Sequence, residues 1–499
     1  MRNPSRLPGF LLLMAFFSAS VTWANDPVKG LEKKVAEHSL KNGMKLLILE
    51  RRGAPLVSFQ MMFRAGSVDE ESGKSGLAHL FEHMMFKGSQ TVGTRDYKAE
   101  APLLDKIDLA ARDLMDEESR GEKADSEKIK TLQRRLDTLE AEHQKLLVPS
   151  EFEEIYQREG AEGLNAFTGR DMTGFVVNLP SNKWELWPLL EADRMARPVL
   201  REFYKERDVV MEERRMRYEN DPDGKLWENF LALAYQAHPY GSPTIGWGSD
   251  LKRLSRQDAV KFFAGHYAPN NAVVAVVGDV SAPEVIAKCE KYFAGVAPQK
   301  LPARPITEEP AQEGERRVRA LYDSEPQLLM GFHKPSAPHA DNFVFDMIEQ
   351  ILSRGRTSRF HRSIEDKKIA ISAWASNGNP GERFPNMIVF GGSPRKPNGN
   401  RELETALLSE IDRLKNEKVP ARELEKIMNQ VESDFIRELA SNAGMASRLA
   451  YFQAVLGDWR YPFAYLAGIR SVTPEDILRV AQKYLNESNR TVAWLEKPK

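Results

Sequence analysis

Residues Gly76–Ser89 read GLAHLFEHMMFKGS, and this stretch decides both the fold of the surrounding domain and the chemistry to look for in it. Its apolar residues recur at the spacing of a helix with one buried face. Ser75 is predicted to cap this helix and Gly88 to end it. The two histidines and the glutamate inside the stretch therefore lie on a helix.

His79 and His83 are four residues apart, so their imidazoles project from one helix face within reach of a single ion. Glu82 lies on the same side, in the inverse of the common zinc-peptidase order. Neutral imidazoles bind Zn²⁺ and leave an open position for water, whose proton Glu82 could accept. The alternative is a helix with two ordinary histidines, which the spacing disfavours.

A catalytic zinc site needs a third protein ligand, usually a carboxylate. Glu206 and Glu213 are seven residues apart on a predicted helix, 201–219, and so nearly superpose after two turns, whereas Glu212 points away. This spacing favours Glu213 as the ligand and Glu206 as the group that supports it. Acidic residues are common on solvated helices, so spacing alone leaves the other carboxylates of the helix open.

The N-terminus resembles a cleavable secretory signal over residues 1–24, with Arg2 and Arg6 before the apolar run Leu11–Phe17. A membrane anchor is the alternative, but the run is shorter than the roughly 20 residues that a spanning helix needs. We therefore expect a secreted protein without a membrane span after cleavage, in a bacterial periplasm. The net charge of −1 favours neither nucleic acid nor an anionic membrane as a partner.

Cys289 is the only cysteine, so the chain forms no internal disulfide. Its place in an amphipathic segment indicates a small core residue rather than a nucleophile.

The patterns divide the mature chain into two α+β domains, 25–296 and 316–499. In the first, Met44–Glu50 and the alternating residues from Val57 predict two half-buried antiparallel strands. Leucines at coiled-coil spacing over residues 96–149 then predict a helical hairpin, either an arm for a partner or an inert insertion.

Residues 297–315 hold four prolines without periodicity and indicate a linker. The segment FAGHYAPNNAVVAVV that ends the first domain parallels VAQKYLNESNRTVAWL at the end of the second. This echo predicts an internal duplication, with two related domains packed face to face.

The signature at Gly76–Ser89 resembles that of the pitrilysin/insulinase metallopeptidases. The likeness continues in LNAFTGRD (164–171), ERDVVMEE (206–213), HPYGSPTIGW (238–247) and YAPNNAVVAVVGD (267–279). It implies the mitochondrial-processing-peptidase-like metallohydrolase fold, two homologous α/β-sandwich domains, with one Zn²⁺ per chain. Glu213 would be the third zinc ligand, and Glu206 would assist catalysis.

The resemblance also implies that Asn165, Ala166 and Phe167 form an edge strand to which an extended peptide substrate adds. Without the family, an ordinary edge strand is an equal alternative. Enzymes of this fold enclose peptides in a chamber of four such domains, of which this chain supplies two.

The chain departs from the family at two places. The gap between His83 and Glu213 is longer than usual, which the helical hairpin explains as an insertion. Active assemblies carry an Arg and, seven residues on, a Tyr that stabilise the tetrahedral intermediate, but Glu365 and Ser372 occupy those positions. We therefore expect the metal-bearing subunit of a heterodimer whose second family subunit supplies the Arg/Tyr pair.

The leading hypothesis is a zinc metalloendopeptidase, with Glu82 and Glu206 catalytic, that acts on peptides or unfolded polypeptides. A peptide-binding or scaffold subunit without turnover is the main alternative, although it has no need of Glu82. A zinc-binding adhesion or storage protein explains the histidines but not Glu82.

Overall fold

The computed structural model describes residues 27–303 and 306–498. The predicted signal segment lies outside these residues. Among the described helices, none is long and apolar enough to cross a membrane.

Eleven strands over the described residues form two sheets. The first has the order β1-β2-β6-β3-β5-β4, and the second has the order β7-β11-β8-β10-β9. The strands are β1 Ala36–Ser39, β2 Lys45–Glu50, β3 Leu56–Phe63, β4 Glu162–Thr168, β5 Thr173–Pro180, β6 Ala272–Gly278, β7 Arg316–Leu321, β8 Gln327–Lys334, β9 Ala370–Asn379, β10 Asn386–Pro394 and β11 Arg490–Glu496.

The helices of the first half lie within residues 27–292, and those of the second half follow from residue 340. They are α1 Pro27–Glu32, α2 Leu77–Met84, α3 Tyr97–Glu118, α4 Ser126–Gln144, α5 Glu151–Arg158, α6 Leu186–Ala196, α7 Phe203–Arg214, α8 Pro222–Ala234, α9 Gly248–Leu251, α10 Arg256–His266, α11 Ala282–Tyr292, α12 Ala340–Ser353, α13 Asn400–Asn416, α14 Ala421–Ala440, α15 Asn442–Leu456, α16 Tyr461–Ser471 and α17 Pro474–Tyr484.

The two sheets share one topology once β1 is set aside. In each, the first strand runs parallel to the last strand of its half, and the remaining pairs are antiparallel. The last strand of each half also follows a helix and a 3₁₀ turn: α10 leads into β6, and α17 into β11. The capping boxes of these helices are equivalent, with Ser255 and Asp258 in one and Thr473 and Asp476 in the other. The α+β fold class with two homologous domains is confirmed.

The strand prediction for the first domain needs two corrections. β2 and β3 are not neighbours, because β6 inserts between them and pairs parallel with β2. β3 is not half-buried either, since its polar residues Ser58 and Gln60 are only 5% and 4% exposed. Sequence alternation could not reveal this, because the second face of the sheet is covered by helices that follow more than 350 residues later in the chain.

Each sheet is covered on one face by its own helices and on the other by helices of the opposite half. On the first sheet, Leu47, Met62 and Ala275 pack against α14, α15 and α16. On the second sheet, α8 lies across the outer face and buries Phe230 and Leu231. A Cβ at Gly331 would lie 2.6 Å from Cζ of Phe230, so that glycine is needed for the close approach.

The insertion in the first half is an antiparallel pair of helices, α3 and α4, joined by a 3₁₀ turn at Gly121–Lys123. Ile107, Leu114 and Leu136 belong to the core of the first half, so the hairpin is anchored along its length rather than at its base alone. Cys289 is fully buried in the same core, and burial raises the pKa of its thiol to about 12. This keeps the thiol protonated, as expected of a core residue.

We predict that Leu231→Ala lowers the free energy of unfolding by about 2–5 kcal/mol, because it leaves a cavity between α8 and the second sheet. Urea denaturation followed by circular dichroism measures the change. Leu189→Ala is the matched control, since Leu189 is 46% exposed and its loss should cost well under 1 kcal/mol. Equal effects of the two substitutions would contradict the packing of α8 across the halves.

Candidate metal centre and active site

Three possible metal ligands meet between α2 and α7. Nε2 of His79 lies 3.7 Å from Oε2 of Glu213, and Nε2 of His83 lies 3.6 Å from the same oxygen. One donor atom from each residue falls within 4.8 Å of the other two, which no other group of such residues achieves in the described chain. Two imidazoles and one carboxylate form the ligand set of three-ligand catalytic zinc sites, so the residues fit the ion that the sequence predicts.

The start of α2 is fixed by a residue that the sequence reasoning missed. Glu70 accepts hydrogen bonds from the backbone N–H of Gly76 at 2.9 Å and of Ala78 at 2.7 Å, at the N-terminus of the helix. Ser75, the predicted cap, instead donates to Asp250 at 2.6 Å. Gly76 has φ +94°, a conformation that favours glycine, which lets the chain enter the helix at this angle.

Glu206 supports His83 from the side away from the ligand cluster. Its Oε2 lies 3.3 Å from Nδ1 of His83, and its Oε1 lies 2.6 Å from Nζ of Lys87. Burial alone would raise the pKa of Glu206, but its bonds to His83 and Lys87 hold that pKa below the usual value. The resulting carboxylate favours a proton on Nδ1 of His83 and leaves Nε2 free to face Glu213.

His79 is held in the neutral form that a metal ligand requires. Burial, together with the nearby His83 and Arg217, lowers the pKa of His79 to about 3. Arg217 also lies 3.1 Å from Oε1 of Glu213, through its Nε atom. Nothing in the sequence singles out Arg217, since it follows α7 in a π-helical turn, Arg215–Glu219, that a helical pattern cannot foresee.

Glu82 is oriented by Thr168, a second group that the sequence reasoning passed over. The Thr168 hydroxyl donates to Oε2 of Glu82 at 2.5 Å. Burial raises the pKa of Glu82, and the bond from Thr168 offsets only part of that rise. A carboxyl group with a raised pKa is better suited to accept a proton and later return it. Thr168 belongs to the motif LNAFTGRD, which the sequence analysis quotes for the family resemblance. Nothing in that motif singles out Thr168 as the partner of Glu82.

Asn165, Ala166 and Phe167 lie on β4, at the edge of the first sheet. Their partners in β5 are Val176, Phe175 and Gly174, and the other edge of β4 pairs with no strand among the described residues. β4 also contacts α2. An extended peptide added at this edge would therefore run past the helix that carries the histidines.

The second half has a counterpart of this site without its metal ligands. α12 follows β8 as α2 follows β3, and its residues Asp346, Glu349, Gln350 and Arg354 repeat the spacing of His79, Glu82, His83 and Lys87. The contacts are repeated too: the backbone N–H of the β9 residue Asn377 donates to Glu349, and Arg354 pairs with Asp434 of α14.

Glu365 and Ser372, which the sequence predicts to stand at the positions of the family's Arg/Tyr pair, are engaged within the second half. Glu365 lies 2.6 Å from Nδ1 of His361 and accepts a hydrogen bond from the N–H of Ala373. Ser372 lies opposite Ser393 in the β9–β10 ladder. Neither side chain offers the positive charge or the phenol that stabilise an oxyanion.

Comparisons with known proteins point to one family of peptidases. The insulinase (peptidase family M16) model matches residues 46–105, and the model described as the peptidase M16 inactive domain matches residues 253–431. The zinc protease PqqE of Helicobacter pylori is 27% identical and covers 92% of each chain. The uncharacterized zinc protease YmxG of Bacillus subtilis is 21% identical and covers 91% of this chain and 96% of its own length.

Solved structures show the same fold. The crystal structure of a protease from Helicobacter pylori has a TM-score of 0.78 at 25% identity and covers 93% of this chain and 99% of its own. The periplasmic protease PqqL from Escherichia coli matches at a TM-score of 0.68 and 16% identity, and the match covers 93% of this chain but 48% of PqqL.

A duplicated α/β fold, with a helix that carries the zinc-peptidase motif in inverse order, His79, Glu82 and His83, defines a class of metallopeptidase-like proteins. Within that class, two models of the insulinase family, peptidase family M16, match this chain over residues 46–105 and 253–431, and the chain has the half-length, two-domain organisation. The predicted resemblance is confirmed.

We predict that Glu349→Gln reduces the pH dependence of stability. Burial raises the pKa of Glu349 to about 7, so its contribution to stability is full below about pH 4.5 and is lost as the pH rises through about 7. The amide of the Glu349→Gln variant has no proton to lose, and the fall in Tm between pH 5.5 and pH 8 should become smaller. Differential scanning calorimetry measures this, with the exposed residue Glu425 changed to Gln as control. An unchanged fall in Tm would refute the assignment.

Proposed function

We propose that this chain is a zinc metalloendopeptidase that hydrolyses peptides or unfolded polypeptides in a bacterial periplasm, as the catalytic subunit of a heterodimer. One observation carries the proposal: His79, His83 and Glu213 converge within 4.8 Å, while Glu82 is held beside them by Thr168. The family model described as inactive matches residues 253–431, and none of these five residues lies in that range.

His79, His83 and Glu213 would hold the zinc, which when bound acts as a Lewis acid and lowers the pKa of a water molecule. Glu82 is the general base: Thr168 occupies its Oε2, which leaves Oε1 to accept the proton. The same carboxyl group then delivers that proton to the leaving amine. Glu206, itself neutralised by Lys87, keeps His83 in the tautomer that directs Nε2 to the ion.

The peptide would add as a strand to β4, along Asn165, Ala166 and Phe167. Backbone hydrogen bonds of this kind bind an extended chain with little dependence on its sequence, which suits unfolded polypeptides. Glu365 and Ser372 stand at the predicted positions of the family's Arg and Tyr, and neither can stabilise the oxyanion in their place. A second family subunit that carries this pair would complete the active site.

The metal assignment predicts that Glu213→Gln loses most of the bound zinc, because a neutral amide is a poor zinc ligand. Purified protein analysed by mass spectrometry should hold about one zinc per chain in the wild type and far less in the variant. Glu212→Gln is the matched control, since Glu212 is next in sequence but 55% exposed and paired with Arg215. Equal zinc in both variants would contradict Glu213 as a ligand.

The base assignment predicts that Glu82→Gln keeps its zinc and loses cleavage of an unstructured fluorogenic peptide by at least about 10²-fold. The peptide is assayed with the chain alone and with candidate family subunits that carry the Arg/Tyr pair. Cleavage that requires the second subunit supports the heterodimer, and full activity that no partner raises contradicts it. Zinc without cleavage under either condition would favour the peptide-binding subunit instead.

A further inference from the structure

We propose that Arg383 of the second half is a positioning residue for the active site in the first half. Its guanidinium binds the backbone carbonyl of Asp171 and the carboxylate of Asp69, and so holds the two segments that carry Thr168 and α2. This inference rests on the proposed peptidase function and concerns how the same site is kept in its working geometry.

The first segment is the turn between β4 and β5, residues 169–172. It begins at Thr168, whose hydroxyl binds Glu82, and it is closed by a hydrogen bond from the N–H of Gly169 to the carbonyl of Met172 at 2.9 Å. Because Thr168 is the last residue of β4, a shift of this turn moves the Thr168 hydroxyl directly.

The loop 380–385 of the second half binds this turn at Asp171, whose side chain is buried, with 4% of the residue exposed. Oδ2 of Asp171 accepts hydrogen bonds from the backbone N–H groups of Glu382, at 2.6 Å, and Arg383, at 3.1 Å. Oδ1 accepts from the hydroxyl of Tyr240 at 2.6 Å. The Arg383 guanidinium also donates to the backbone carbonyl of Asp171 at 3.3 Å.

The second segment is the stretch that leads into α2. Nη2 of Arg383 lies 2.9 Å from Oδ1 of Asp69, in an ion pair whose side chains are 3% and 1% exposed. Asp69 in turn accepts from the N–H of Gly66, and the next residue, Glu70, binds the first N–H groups of α2. The place of His79, Glu82 and His83 therefore depends on a segment that is anchored by Arg383.

The two segments are also joined to each other. The N–H of Ser67 donates to the carbonyl of Gly169, and the N–H of Val68 donates to the carbonyl of Arg170. Arg383 thus binds one unit that bears Thr168 at one end and the cap of α2 at the other. Arginine suits this position because its planar guanidinium can donate to the Asp171 carbonyl and to the Asp69 carboxylate at once. The ammonium of a lysine cannot bind both acceptors in a fixed orientation.

The topology explains why this contact falls at this place. The loop 380–385 connects β9 to β10, just as the turn 169–172 connects β4 to β5. The contact is thus between equivalent turns of the duplicated halves. The second half, whose own counterpart of the metal site has no histidine, retains a role in the geometry of the first.

The test compares Arg383→Met with Arg383→Lys in the full chain, together with whichever partner subunit supports turnover. We expect Arg383→Met to lower kcat for a fluorogenic peptide at least tenfold, with KM within twofold and zinc still near one per chain. Arg383→Lys should recover part of the loss. A loss of kcat that is matched by loss of folded protein or of zinc would overturn the positioning role.

Arg460→Met is the matched control. Arg460, just before α16, also pairs across the halves, with Glu37 of β1 at 3.0 Å, and this contact is away from the catalytic turn. Its kcat should stay within twofold of the wild type, and a loss equal to that of Arg383→Met would overturn the proposal. Arg383→Met leaves the charge of Asp69 buried without its ion-pair partner, which could prevent folding. The double variant Asp69→Asn/Arg383→Met removes both buried charges and replaces the single variant in the test if that variant does not fold.

Amide hydrogen exchange separates this proposal from the peptidase function itself. In Arg383→Met, peptides that contain residues 165–173 and 76–84 should exchange faster than in the wild type and in Arg460→Met, whether or not the protein cleaves peptides. If the wild type shows no cleavage, the proposed function fails while this result still decides the coupling. Unchanged exchange in both segments would overturn the role of Arg383.

Discussion

Each of the two sheets is buried on both faces, and each half depends on the other for one of those faces. α14, α15 and α16 cover the first sheet, while α8 covers the second. An apolar sheet face left in water would lose about 25 cal/mol for every Å² exposed, so each half gains stability from being covered by the other. The reciprocal covering also reaches the active site, because α7, which carries Glu213, continues through the turn 215–219 into α8.

The two halves share one framework, and differences at three of four equivalent helix positions separate their chemistry, while the glutamate is common to both. His79, Glu82, His83 and Lys87 correspond to Asp346, Glu349, Gln350 and Arg354 in the equivalent places. Replacement of two imidazoles by a carboxylate and an amide removes the nitrogen ligands that zinc favours. The basic residue and its acidic partner persist in both halves, which is consistent with a role in holding the helices together rather than in binding an ion.

The electrostatics of the centre follow from burial balanced by specific partners. Glu206 and Lys87 neutralise each other beside His83, so the ligand face of that imidazole is left for the ion. Glu82 receives a single hydrogen bond, from Thr168, and retains the raised pKa that burial imposes. Two carboxyl groups within one site thus have opposite pKa shifts, because Glu206 bonds directly to Lys87 and His83, whereas burial outweighs the lowering effects of Thr168, His83 and Arg217 on Glu82.

The helix of the metal motif could be predicted from residue spacing within a short segment, and the internal duplication from the similarity of two segments. The edge strand at Asn165–Phe167 was implied by the family resemblance. The proximity of Glu213 to the histidines could be inferred only in part. Helical periodicity placed Glu206 and Glu213 on one face of α7, but it did not bring that face to α2.

Local pattern by itself therefore determined the fold class and the residue types of the site, since periodicity and ligand chemistry are properties of neighbouring residues. Tertiary structure alone decided that β6 inserts between β2 and β3, that Glu70 rather than Ser75 caps α2, and that Thr168 orients Glu82. It also decided the contact of Arg383 with Asp69. These relations join residues up to hundreds of positions apart, and their energies depend on burial, which a linear pattern does not contain.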